Sequence, residues 1–201
     1  MTYNMEIAGE GDPVSDADVH KALGMIQAAK RRRLNAASDV GHKAATRAMT
    51  AGLIALYKAH PNRFELTAGS MVDARIIMAD FGMLDVETQQ GRFPNYRECG
   101  VTDQMIRDAA GEDGRETPEL DRYHAARDTV LEAQAENPVG IPQYKLLDNS
   151  GWLVTPDEIT SALGAYRTAV GDGAEQSARF WWPYWIAFLE RAAHHGGFRV
   201  H

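Results

Sequence analysis

Tyr144-Lys145-Leu146-Leu147-Asp148-Asn149-Ser150-Gly151-Trp152-Leu153-Val154-Thr155-Pro156-Asp157-Glu158 is the stretch that decides the architecture. Two short apolar runs, 144–147 and 152–154, flank the polar turn 148–151, which reads as a β-hairpin. Thr155 then opens a helix. It supplies a cap hydroxyl, Pro156 suits the first helical position, and Glu158 completes a capping box. That helix stops at Gly171-Asp172-Gly173. A last helix covers about 180–195, with Pro183 tolerated in its first turn. Gly196-Gly197 end it, leaving Phe198-Arg199-Val200-His201 as a closing strand beside the hairpin. The alternation of Trp152/Val154 and Phe198/Val200 turns one face of this sheet onto the last helix.

Upstream the patterns are helical. Tyr3, Met5 and Ile7 alternate as a short strand, and residues 9–13 break it. Ser15 caps a helix running to about Arg33, with Asp16 and Asp18 in its first turn. Ser38 caps a second, ended by His60-Pro61. Its Ala44, Ala48, Ala51 and Ala55 form one row and His42, Met49, Leu53 and Leu56 another, so it is expected between two neighbours, with His42 interior. Ser70 and Asp73 open a third helix over about 70–83. Met71, Val72, Ile76, Ile77, Met78 and Phe81 surround it, so it is expected to be the buried centre. On that expectation Ile76→Ala costs about 2–5 kcal/mol, and Asp80 is a buried acid held by Arg75 or an arginine of the basic segment. Thr102 caps a short helix ending at Gly111, and Thr117-Pro118 begins another that ends before Pro138.

The fold class is therefore mostly α: a helical bundle with a small antiparallel sheet, hairpin plus C-terminal strand, in the last third. Residues 1–138 form the bundle region. Residues 139–201 form a ββααβ region packed with it. A chain of 201 residues, 44% apolar and 24% charged, fits one domain.

No window is apolar enough for a transmembrane helix, and the N-terminus lacks a secretory signal, so no membrane partner is expected. The single cysteine, Cys99, excludes an internal disulfide and suits a reducing cytoplasm. The net charge of −7 hides an asymmetry. Residues 20–63 hold nine bases against one acid, Asp39, whereas residues 103–138 sum to −6.

The residues 148–158, together with Trp182-Pro183-Tyr184-Trp185-Ile186-Ala187-Phe188-Leu189 and the terminal 196–201, resemble the C-terminal ends of small uncharacterised actinobacterial and actinobacteriophage proteins. The likeness covers about the last 55 residues. It implies a phage or mobile-element setting in a bacterial cytoplasm, and no chemistry.

Two surfaces carry function candidates. Tyr184, Phe188, Trp181, Trp185, Leu189, Trp182 and Ile186 fill an arc of about 200° on the last helix. That arc is either core or a core with one tryptophan edge left as a partner-binding anchor, Trp182 first. Lys30, Arg31, Arg32, Arg33, Lys43 and Arg47 either pair with the acidic segment inside the fold or form an anion or nucleic-acid footprint. No GxSxG, P-loop, GxGxxG or metal-ligand spacing is present. His194, His195 and His201 lie close in sequence yet are poorly disposed to share an ion, so no metal and no cofactor is expected. The leading expectation is a non-catalytic interaction or regulatory protein binding another protein or a second copy. A nucleic-acid-associated protein using 20–63 is the alternative.

Overall fold

The structure of the chain, a computed structural model, describes residues 2–9, 13–110 and 116–201. The expected helix stop at Gly111 and most of the break before Pro13 lie outside them. The chain is mostly α-helical with a small antiparallel sheet. The helices are α1 (Asp16–Leu34), α2 (Asp39–Ala59), α3 (Ala68–Asp80), α4 (Asp103–Ala109), α5 (Pro118–Leu131), α6 (Pro156–Gly171) and α7 (Trp182–His194). The strands are β1 (Thr2–Ile7), β2 (Arg63–Thr67), β3 (Leu84–Asp85), β4 (Ile141–Pro142), β5 (Trp152–Val154) and β6 (Phe198–Val200).

The main sheet has the order β2-β1-β6-β5 and is antiparallel throughout. Both ends of the sequence meet at its centre, with Met5 opposite Val200 and Ile7 opposite Phe198. Each strand alternates, sending Tyr3, Met5, Phe64, Leu66, Trp152, Val154, Phe198 and Val200 to one buried face. Period-two burial pins the register, because a one-residue slip would bring every inward side chain to water. On the other face Arg63 pairs with Glu6 across the β1–β2 ladder and with Glu65 along its own strand. A separate parallel pair joins β3 to β4, Leu84 opposite Ile141. Residues on both sides of 138/139 thus share one sheet and one hydrophobic core.

The helix starts follow their caps. Ser15, Ser38, Thr102 and Thr117 each accept a backbone N–H with the side-chain hydroxyl. At Thr155 both arms of the box are made, the Glu158 carboxylate accepting from the Thr155 amide at 2.9 Å. Gly197 has φ +88, and a Cβ there would lie 2.1 Å from the Val154 carbonyl oxygen, so the turn into β6 needs glycine.

Three expectations change beyond residue 60. The run 144–147 is not a strand: residues Gln143–Leu146 form a 3-10 turn, and β5 pairs with β6 instead. The reason is Lys145. Its ammonium donates to the carbonyls of Ala133 and Leu153, both at 2.7 Å, and to Glu158 at 2.8 Å, with both side chains fully buried. An extended strand would point that charge elsewhere. Second, residues 63–67 form the edge strand β2, so α3 starts at Ala68 rather than Ser70, capped by Thr67, whose hydroxyl takes the Ser70 amide at 3.2 Å. Third, α3 is not the central helix. Val72 is 45% and Ile76 56% exposed, and Asp80 is exposed rather than a buried partnered acid. The centre is α7, which buries Trp182, Trp185, Phe188, Leu189 and Ala192 between the sheet and α6.

Helices α1 and α2 form an antiparallel hairpin, here called the arm. They pack closely on each other through Ala22, Ile26, Ala29, Ala45 and Gly52. A Cβ at Gly52 would stand 2.8 Å from Ile26 Cγ1, so glycine permits the approach. Neither helix makes an extensive contact with any other element. Accordingly α2 is not sandwiched, Ala44 and Ala51 are exposed, and His42 is at the surface. The C-terminal half of α2 covers the free edge of β2, where the Tyr57 hydroxyl donates to the Glu65 carbonyl at 3.2 Å.

Candidate functional site

The aromatic helix is core. Trp181, Trp182 and Trp185 are 4%, 1% and 0% exposed, so the expected accessible tryptophan edge does not exist within the chain. Trp182 stacks on Phe81 and donates to the Tyr166 hydroxyl at 3.4 Å. Trp185 is enclosed by Phe64, Phe188 and Phe198, with ring centres 5.3–5.8 Å apart. A 200° apolar arc is what a helix covered on several sides requires, and α7 rather than α3 is that helix. Of the four candidate anchors, only Tyr184 remains half-buried.

The basic segment is placed very differently. Ala29 is the last buried residue of α1, and Lys30, Arg31, Arg32 and Arg33 project beyond it, all exposed. The turn 35–38 reverses the chain, bringing Lys43 and Arg47 of α2 alongside, also exposed. Six cations thus cluster at the free end of the arm. None of the six has an ion pair among the described residues. The internal pairing with residues 103–136 is not found among the described residues. There the acids satisfy local partners: Asp103 takes the Tyr96 hydroxyl, Asp108 the Gln104 amide, Glu119 pairs with Arg122 and Glu132 with Arg199.

Helical spacing divides the cations between the two sides of the arm. Lys30 lies on the body-facing side with Leu23 and Ile26. Lys43, Arg47 and Lys58 fall on one stripe of α2, and Arg32 flanks it from α1. Between arm and body runs an apolar groove of about 570 Å³, with Leu23, Ile26, Leu53 and Tyr57 facing Phe180 and Trp181.

Elsewhere the polar groups are structural. Burial pushes Lys145 below and Glu158 above their ordinary values, and the attraction between them works against both shifts. Every proton of that ammonium has an acceptor, so the pair ties the 3-10 turn to β5 and α6 and offers nothing to a substrate. Asp73 pairs with Arg179 at 2.8 Å. Arg75 is not its neighbour's counter-ion; it donates to the Leu146 carbonyl at 3.2 Å. His201 is carried by β6 away from His194 and His195, pairing its backbone with Asn4. Among the described residues no group of three or more His, Cys, Asp or Glu side chains could hold a metal ion, and no helix is long and apolar enough to cross a membrane.

Strands β2, β3 and β4 were missed, and β2 is the one that reaches the arm. Its signal, Phe64 and Leu66 alternating with Arg63, Glu65 and Thr67, is present in the sequence. That strand brings Arg63 beside the base of the arm. No protein-family model, no curated protein and no solved structure matches the chain.

Proposed function

We propose that the protein is a nucleic-acid-associated protein that contacts phosphates through the free end of its arm. The observation that carries this reading is the cluster of six exposed cations, Lys30, Arg31, Arg32, Arg33, Lys43 and Arg47, without ion-pair partners among the described residues. Arginine and lysine so placed gain by neutralising phosphates and releasing counterions, which gives affinity without sequence preference. The arm turns Lys43, Arg47 and Arg32 away from the acidic body, whose net charge would otherwise oppose a polyanion. The setting implied by the C-terminal resemblance, a phage or mobile element in a bacterial cytoplasm, accommodates such a role. Labelled single- and double-stranded oligonucleotides, titrated at physiological salt and followed by fluorescence anisotropy, test it. Binding with a Kd of about 10⁻⁴–10⁻⁶ M is expected. Replacing Lys43 and Arg47 by alanine should weaken it at least tenfold. Equal binding by that variant, or none by the natural chain, overturns the reading.

The second reading is a non-catalytic protein-binding role, favoured by the groove between arm and body. Its occupant would be an amphipathic helix of a partner protein, apolar against Leu53 and Phe180, with charges meeting Lys30 and Glu65 at the rim. Loss of capture on Leu53→Asp, with or without nuclease, distinguishes it from the first.

A further inference from the structure

At the base of the arm, the end opposite the cationic tip, α2, β2 and α7 enclose a cleft of about 240 Å³. Its floor is aromatic. Tyr57 stacks on Phe64 at 4.5 Å and meets Tyr184 at 5.7 Å, with Phe188 behind Phe64 at 5.8 Å. Lys58, Arg63 and Arg191 border it, and among the described residues no acidic side chain lines it. Glu6 and Glu65 engage Arg63 from the outer face of the sheet. Arg191 is steadied by donating to the Pro61 carbonyl at 3.1 Å. Lys58 is exposed and has no ion pair among the described residues. It also belongs to the stripe of α2 that carries Lys43 and Arg47, so the cationic track from the tip runs into the cleft.

An aromatic floor under a cationic wall matches a ligand with a flat ring and a phosphate. We infer that the cleft is a nucleotide subsite: a nucleobase stacks on Tyr184 while Lys58 and Arg191 hold its phosphate. This rests on the nucleic-acid reading and adds to it. The strand's backbone follows the stripe Lys43–Arg47–Lys58, and one base at its end enters the cleft. Stacking on an aromatic ring tolerates any base, because every base has a flat face.

Calorimetric titration of the full chain with adenosine 5′-monophosphate, adenosine and inorganic phosphate tests it. Saturable binding of the monophosphate is expected, at least tenfold tighter than either fragment. Tyr184→Ala should weaken it about five- to hundredfold, Tyr184→Phe should retain it, and Lys58→Ala should reduce it to the level of adenosine. The Lys43→Ala/Arg47→Ala variant should bind the monophosphate as the natural chain does. Phosphate binding as tightly as the monophosphate, indifference to Tyr184→Ala, or no saturable binding overturns the subsite. If oligonucleotides then still bind through Lys43 and Arg47, the proposed function stands without it. If they too fail to bind, both readings fall.

Discussion

Lys145→Met removes the cation from a site where the structure leaves no substitute. The Lys145 ammonium supplies three hydrogen bonds, and both it and the Glu158 carboxylate are fully buried. Methionine fills the volume but strands a buried carboxylate and two carbonyls. Breaking a buried pair from one side costs about 3–5 kcal/mol. All four tryptophans are buried, so urea unfolding read by their fluorescence reports the loss. With a slope of about 2 kcal/mol per molar urea, the midpoint falls by about 1.5–2.5 M. The cost depends on pH with a definite sign. Without Lys145, burial holds the Glu158 carboxyl still further above its ordinary value, so the folded state favours the protonated acid. The penalty is complete above that raised value and shrinks as pH falls toward the unfolded value. Adding Glu158→Gln to Lys145→Met removes the stranded charge, recovers part of the loss and abolishes the pH dependence. A midpoint shift under about 0.5 M, or equal shifts at pH 5 and pH 8, would refute the reasoning.

Ile76→Ala should cost under about 1 kcal/mol, because Ile76 is 56% exposed, whereas Trp185→Ala at the centre of α7 should cost about 3–5 kcal/mol in the same unfolding assay. Thr155→Ala should cost about 1 kcal/mol through loss of the α6 cap, visible as a lower urea midpoint with unchanged slope. Burial, aided by Glu65, pushes the Tyr57 phenol up to about 12 from 10.0. Its folded value lies above its unfolded one, so its contribution to stability is complete below pH 10 and lost as pH rises toward 12. Comparing Tyr57→Phe with the natural chain across that window isolates the effect, and parallel curves would contradict it.

The starts of α1, α2, α4, α5 and α6 were legible because each depends on a hydroxyl or proline at one position, and Ser15, Ser38, Thr102, Thr117 and Thr155 all act as read, whereas the start of α3, read at Ser70, is capped by Thr67. The closing strand β6 was legible from alternation and the two glycines before it. The fate of 144–147 was not, since Lys145 turns inward only because Glu158 waits there from another element. Periodicity also could not rank α3 against α7. Apolar residues on all sides of α3 suggested the centre, yet Val72 and Ile76 face water while α7 takes the sheet and α6. The same gap misassigned the tryptophans, whose wide arc measures how many neighbours α7 has. The cationic cluster was legible as composition. That it stands on a projecting arm, away from the acids of α4 and α5, is tertiary information.

The salt dependence of oligonucleotide affinity tests the central claim most directly. Consecutive residues on α1 point about 100° apart, so one backbone can meet Lys43, Arg47, Arg32 and at most one more cation of the tip. Three or four phosphate contacts give a slope of log K against log salt of roughly −3 on duplex DNA. Lys43→Ala/Arg47→Ala should make that slope shallower by about 2. A slope near zero, or one the double substitution leaves unchanged, would contradict a phosphate-binding arm.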